Sequence, residues 1–271
     1  MQTHLSARRF AGIQGRRIAY RVAGRADGSP IVLIHALASR SDSWDRTAGA
    51  LAESGFRVIA PDLRGHGGSA WAASYAMADF VDDLIAMLDA MHLDRVDLIG
   101  HSLGGHLALC IAACAPHRVR RLVIEATPVP PRDDVDAANL RAQDSAPSWR
   151  RALRTLGMGR MLWRVLRGQF DIRASGPVIR ALRSPMPQWW RDLASIGSPS
   201  LLLVGRNGGG ISGRIGLLLA GLPGSRAIFL GDGHHLHAEH FDAFMAKVSP
   251  FLAADAPAPA RASGARLATA G

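Results

Sequence analysis

Cysteine is nearly absent: the 271-residue chain has two, Cys110 and Cys114. They lie four apart on one predicted helix and are expected to pack as small apolar groups, not to bridge or hold a metal. This usage gives no sign of an oxidising compartment. No apolar h-region follows Met1, and no run approaches the length of a membrane span. These absences predict a soluble, cytoplasmic protein with no membrane partner. Lysine is missing apart from Lys247, so nearly all of the 32 basic residues are arginines, and the formal net charge is +10. Such a balance can serve nucleic acid or an acidic partner. However, the arginines are scattered, with no aromatic interleaving and no binding motif, so nucleic acid is not expected. There is no internal repeat.

What is present is 48% hydrophobic residues in a chain long enough for one domain with an insertion. The pattern opens with a hairpin around Gln14-Gly15. Short apolar runs at Pro30–Ile34, Phe56–Ala60, Val96–Gly100, Val119–Ile124, Ser200–Val204 and Ala227–Leu230 read as buried strands. Helical patterns lie between them. One starts at a cap made by Ser41 and Asp42, one runs from about Ala78 to Met91, one from Leu103 to Ala115, and one from about Ala238 to Leu252. Alternation of this kind predicts a mostly parallel central sheet with helices on both faces. It breaks after Thr127. The stretch up to Ile196 shows helical patterns around Leu140, Leu153, Leu162 and Val178, interrupted by proline and glycine. The expected organisation is a core of residues 1–127 and 197–252, a helical cap at 128–196 over the carboxyl ends of the strands, and a disordered Ala- and Pro-rich tail at 253–271.

The chemistry concentrates at Gly100-His101-Ser102-Leu103-Gly104, a Gly-x-Ser-x-Gly pattern between a predicted strand and a predicted helix. A turn that sharp leaves no room for flanking side chains, so the glycines let the two backbones pass closely. It would hold the Ser102 hydroxyl exposed on a strained turn, beside a helix N-terminus that favours developing negative charge.

That stretch joins Ile34-His35-Ala36-Leu37, Asp62-Leu63-Arg64-Gly65-His66-Gly67-Gly68-Ser69 and Gly231-Asp232-Gly233-His234. Together and in this order they resemble the α/β-hydrolase superfamily over roughly Gly12 to Leu252. The resemblance implies that fold, with a helical cap. It puts Ser102 at the nucleophile position, His234 at the general-base position, and the N–H groups of Leu37 and Leu103 in the oxyanion hole. Ala36 stands where the family usually has Gly. A serine hydroxyl is a weak nucleophile and needs a base, imidazole can take and return its proton, and two backbone donors stabilise the tetrahedral oxyanion. A serine cannot form the carboxylate ester used by haloalkane dehalogenases and epoxide hydrolases, which sets those reactions aside. No cofactor is called for. The histidines at 234, 235, 237 and 240 suggest a metal, but the last helix would spread them over different faces, so no metal is expected. His35 is expected to prop the oxyanion loop, and His101 to point back under the turn; both are also carried as substrate contacts.

One departure matters. The family most often has its acid after the strand ending at Val204, and here Gly208 occupies that place, with no carboxylate between Arg206 and Leu230. Either the acid lies elsewhere or the triad is broken. Glu125, at the end of the strand next after the nucleophile helix, is the expected third member. That strand's carboxyl end lies beside the serine's at the rim of a doubly wound sheet, and Ser102, Glu125, His234 keeps the order of the fold. The structural alternative is a pair with an arginine such as Arg132.

The cap holds 12 arginines against 6 aspartates, together with Trp149, Trp163, Trp189 and Trp190. Trp189 and Trp190, beside the cap's return to the core, are expected to line the substrate site. These features suit a small-molecule acyl substrate of apolar or aromatic character, with an anionic portion or an acidic carrier protein. The expected activity is serine hydrolysis of an ester, thioester or lactone through an acyl-enzyme on Ser102. The alternatives are a non-hydrolytic use of the same site (acyl transfer, C–C cleavage, lyase or cofactor-free oxygenase chemistry) and a catalytically weakened binding protein.

Overall fold

The structure is a computed structural model that describes residues 5–143, 158–206 and 213–254. The chain opens with a hairpin of β1 (Arg9–Ile13) and β2 (Arg16–Ala23). Gln14 and Gly15 turn it with φ of 48° and 74°. Two successive positive values give the turn whose twist matches that of the strands. β3 (Pro30–Ile34), β4 (Arg57–Pro61), β5 (Val96–His101), β6 (Val119–Glu125), β7 (Ser200–Val204) and β8 (Ser225–Phe229) follow. All belong to one sheet in the order β1-β2-β4-β3-β5-β6-β7-β8. β2 runs antiparallel to both of its neighbours, β1 and β4, and every other pair is parallel. From β3 the chain crosses to β4 on one side, and from β5 to β6 on the other. The loops at the carboxyl ends of β3 and β5 therefore diverge, and such a switch point opens a crevice for ligands.

The helices are α1 (Asp45–Glu53), α2 (Met77–Ala90), α3 (Leu103–Cys114), α4 (Asp134–Gln143), α5 (Met158–Leu166), α6 (Ser175–Arg183), α7 (Pro187–Leu193), α8 (Ile215–Gly221), α9 (Leu236–Glu239) and α10 (Phe241–Ala253). Strand side chains alternate between two cores, as a period of two requires. Ile31, Leu33, Ile99, Val123, Leu201 and Leu203 meet Leu51 of α1 and Phe244 and Val248 of α10. Val32, Ile34, Leu98, Leu122, Ile124 and Leu202 meet Phe80, Leu84, Met87 and Leu88 of α2 and Leu107 of α3. Full burial of each such side chain contributes about 1.5–3 kcal/mol, so the parallel strands can be apolar on both faces and still remain in the sheet.

The segment after β6 leaves the strand at Ala126, whose φ is 46° and whose N–H donates to the Leu203 carbonyl at 2.9 Å. After α5 it runs back across the loops at the carboxyl ends of β3 and β4. The Gly67 N–H donates to the Gln169 carbonyl, His66 and Phe170 form an isolated bridge, and the Asp171 N–H donates to the Gly65 carbonyl.

Several local expectations need correction. Ser41 and Asp42 begin a 3-10 turn, not an α-helix; Ser41 makes no side-chain cap, and its N–H is held by the Asp62 carboxylate at 2.8 Å. The last helix is broken at His240, where φ −128° and ψ 43° separate α9 from α10. Cys110 packs partly against the core, but Cys114 is exposed. The helix around Leu153, Trp149 and nearly all of the tail fall outside the described residues. Among the described residues no helix is long and apolar enough to cross a membrane.

Candidate active site

Ser102 is half-buried between β5 and α3 with φ 52° and ψ −114°, a conformation that costs a non-glycine residue about 1–3 kcal/mol. Packing on all sides imposes it. A Cβ on Gly100 would strike the Gly104 carbonyl, and one on Gly104 would strike the carbonyl of Ile34. Any side chain at either place would push helix, serine and β3 apart. The Ser102 N–H is fixed by the Glu125 carbonyl at 2.8 Å, and the Ser102 carbonyl accepts from Gly105 and His106 at 3.0 and 3.1 Å.

The same close approach brings the loop after β3 against the first turn of α3. The N–H groups of Leu37 and Leu103 donate to no acceptor among the described residues. Behind this loop stand two wholly buried histidines. His35 donates from Nδ1 to the Ala36 carbonyl at 2.8 Å and accepts the Leu63 N–H at Nε2 at 2.9 Å. His66 donates from Nδ1 to the Arg64 carbonyl at 2.8 Å and accepts the Ala38 N–H at Nε2 at 3.1 Å. Burial pushes His35 down to about 4 and His66 to about 3. Both stay neutral, which leaves Nε2 free to accept. Both ring nitrogens of His35 are thus engaged by backbone groups of the loops after β3 and β4.

The histidine turn folds over the carboxyl end of β5. Gly231 and Gly233 have φ of 64° and 94°, and a Cβ on Gly205 would meet the Gly233 carbonyl. His101 is 2% exposed and donates from Nε2 to the His234 carbonyl at 2.7 Å, so it supports this turn. Its ring lies 4.8, 4.9 and 5.1 Å from those of His234, His235 and His237, which gathers all three around the residue before Ser102. Among the described residues no set of three His, Cys, Asp or Glu side chains is placed to hold a metal.

Glu125 is wholly buried and pairs with His101 in the β5–β6 register, at the rim where an acid was expected. Its hydrogen-bond partner differs from the expectation. The carboxylate accepts Nδ1–H of His237 at 2.7 Å and the His237 N–H at 3.1 Å, while Nδ1 of His234 is buried and has no hydrogen-bond partner among the described residues. The reason is local. His237 lies in the first turn of α9, where backbone N–H groups lack helical acceptors, and a carboxylate satisfies them. His237 is further held by Trp44, whose ring centroid lies 4.1 Å away. Burial, then His235, lowers His234 to about 4, while the Glu125 charge pulls it upward. Sequence reasoning set His237 aside with the other histidines of the cluster. Its only sequence signal is the spacing after His234, which cannot reveal the short helix that turns it toward Glu125. Arg132 pairs with Asp136, not Glu125.

The tryptophans form a seam. Trp189 is 8% exposed and stacks on His106 of α3 with centroids 5.1 Å apart, and Trp190 donates to the Pro130 carbonyl at 3.1 Å and packs beside Gly221. These contacts pack both tryptophans between the segment after β6 and helices α3 and α8.

Comparison with known proteins matches residues 29–164 to the alpha/beta hydrolase fold family. A 2-hydroxy-6-oxo-2,4-heptadienoate hydrolase from Pseudomonas putida is 32% identical, over 84% of this chain and 90% of its own length. An esterase from Escherichia coli is 30% identical, over 83% and 94%. Relatives at 39–44% identity match over a shorter stretch, and the chain spans only 33–40% of their length. A solved hydrolase from Pseudomonas aeruginosa superposes with a TM-score of 0.73 at 26% identity, covering 92% of this chain and 99% of that one. With the eight-stranded sheet and the serine turn at its switch point, these likenesses establish that the chain belongs to the α/β-hydrolase fold family.

Proposed function

We propose that the protein is a serine hydrolase that cleaves an ester, thioester or lactone of a small apolar acyl compound. The observation that carries this reading is Ser102 itself. It is held at positive φ at the start of α3, with the unpartnered N–H groups of Leu37 and Leu103 available to a carbonyl oxygen. Relatives named as an esterase and as a hydrolase of an oxo-carboxylate support the reaction class.

In this reading the Ser102 hydroxyl attacks the substrate carbonyl and gives its proton to His234. The carbonyl oxygen becomes an oxyanion held by Leu37 and Leu103; one such donor is worth about 3–4 kcal/mol. Collapse expels the alcohol, thiol or ring oxygen, which takes the proton back from His234. Water then gives a proton to His234 and attacks the acyl-enzyme; collapse releases the acid as His234 returns that proton to the Ser102 oxygen. Glu125 steadies the His234 imidazolium by its nearby charge and fixes the turn through His237. It is thus the acid of the site without a direct bond to the base. The arginine-rich cap favours an acyl group with an anionic portion, free or on an acidic carrier protein.

A fluorophosphonate probe tests the reading. Covalent labelling of Ser102, lost in Ser102→Ala together with turnover, is the expected result. An unlabelled wild-type protein would point to a binding protein instead. Labelling without a hydrolysed product would point to acyl transfer or another non-hydrolytic use of the serine.

A further inference from the structure

The loop that carries the Leu37 N–H is clamped by the cap. Ala38, 4% exposed, sits in the left-handed region with φ 56° and is not a glycine. An L-residue pays roughly 1–2 kcal/mol for that conformation, so something must hold it. Two groups do. The Ala38 N–H donates to His66 Nε2 at 3.1 Å, and the Ala38 carbonyl accepts from the Arg164 guanidinium, which comes from α5 of the cap. A second tie runs beside it: Arg40 donates to the Gln169 side chain at 2.8 Å. Gln169 belongs to the cap segment that crosses the Gly65–Gly67 loop, where Tyr75 anchors Asp171 at 2.6 Å.

The geometry points to Arg164 as a positioning residue for the oxyanion hole. The Leu37–Ala38 peptide is fixed at its N–H by His66, and the next carbonyl by Arg164. Without the guanidinium, Ala38 can relax to negative φ; this turns the Ala38–Ser39 peptide, whose N–H donates to the Ala36 carbonyl at 3.0 Å, and leaves the Ala36–Leu37 peptide that carries the Leu37 donor held by His35 alone. A cap side chain far from the reacting carbonyl would thereby set how well the oxyanion is bound. The inference rests on the serine-hydrolase reading, but a separate experiment decides it.

The wild-type protein is first labelled with the fluorophosphonate; failure there rejects the underlying reading before any cap variant is made. With labelling established, kinetics are followed on p-nitrophenyl butyrate, with phenylboronic acid as the tetrahedral probe. Arg164→Ala is expected to lower kcat about 10- to 100-fold with KM within about threefold, because the lost interaction acts in the transition state. The inhibition constant for phenylboronic acid should rise by a similar factor. Arg164→Lys, which keeps a donor, should recover part of both losses. Adding Ala38→Gly to Arg164→Ala should also recover kcat, since glycine takes the left-handed conformation without penalty. Unchanged kcat in Arg164→Ala overturns the inference. So does a loss that Ala38→Gly leaves untouched, or one carried wholly by KM. If Arg164→Ala does not fold, Arg164→Lys and Arg164→Met take its place, and equal kcat in the two rejects the proposal.

Discussion

At the residue scale, the question is how the work divides between two histidines and one carboxylate. Turnover in His234→Ala should fall about 10⁴-fold or more, as in Ser102→Ala, because members of one catalytic unit do not act additively. His237→Ala should lower stability and leave a larger share of kcat, since it removes a buried partner of Glu125 and not the base. A reversed ranking, with His237→Ala the severe change and His234→Ala mild, would move the base to His237. Glu125→Gln, which removes the charge near His234 but no direct bond to it, is expected to lower kcat about 10- to 100-fold with KM little changed; steady-state kinetics within a few-fold of wild type would remove Glu125 from the site. Burial holds His234 at about 4, and a general base works in its neutral form. Activity is therefore present above that value and lost as pH falls through it. A kcat/KM profile, read per folded molecule, that shows no histidine limb near 6.5 agrees, and a limb near 6.5 in protein that is still folded does not.

At the scale of elements, the serine turn and the cap seam make contrasting demands on packing. Gly104→Ala would drive a Cβ into the Ile34 carbonyl and force α3 away from β3. It should cost about 1–3 kcal/mol of stability, and it should also impair turnover by moving the Leu103 donor. Trp189→Ala removes a nearly buried indole between α7 and α3 and should cost about 3–5 kcal/mol, read from denaturant unfolding. A change in substrate preference at unchanged stability would instead restore Trp189 as a pocket wall.

The elements differ in how far the sequence reveals them. Strands such as Val119–Glu125 and Ser200–Val204 are plain because their apolar runs are short and bounded. The serine turn is plain because its glycines have no other use. The break at His240 and the pairing of Glu125 with His237 are hidden, because they depend on how a four-residue helix sits on the end of β6. The roles of Arg164 and His66 are hidden for a similar reason: each serves a backbone group of Ala38, and backbone groups leave no trace in residue type.

At the scale of the whole molecule, several interior histidines couple folding to acid. Burial lowers His35 and His106 from 6.5 to about 4, and His66 from 6.5 to about 3. Their folded values lie below the unfolded one, so the stability they contribute is complete above about 6.5. It declines as pH falls toward the folded values, by about 1.4 kcal/mol per pH unit for each group. The melting temperature should therefore be steady near neutrality and fall between about pH 6.5 and 4; a flat profile over that range would mean these rings are not buried neutral. In the proposed reading the loop after β3 and the histidine turn serve one hydroxyl, that of Ser102 at the switch point of the sheet. The most direct test is intact-mass analysis after incubation with a fluorophosphonate, with peptide mapping of the adduct. The account predicts a single adduct on Ser102, absent in Ser102→Ala and strongly slowed in His234→Ala. A protein that stays unmodified, or one modified elsewhere at the same rate in Ser102→Ala, would contradict it.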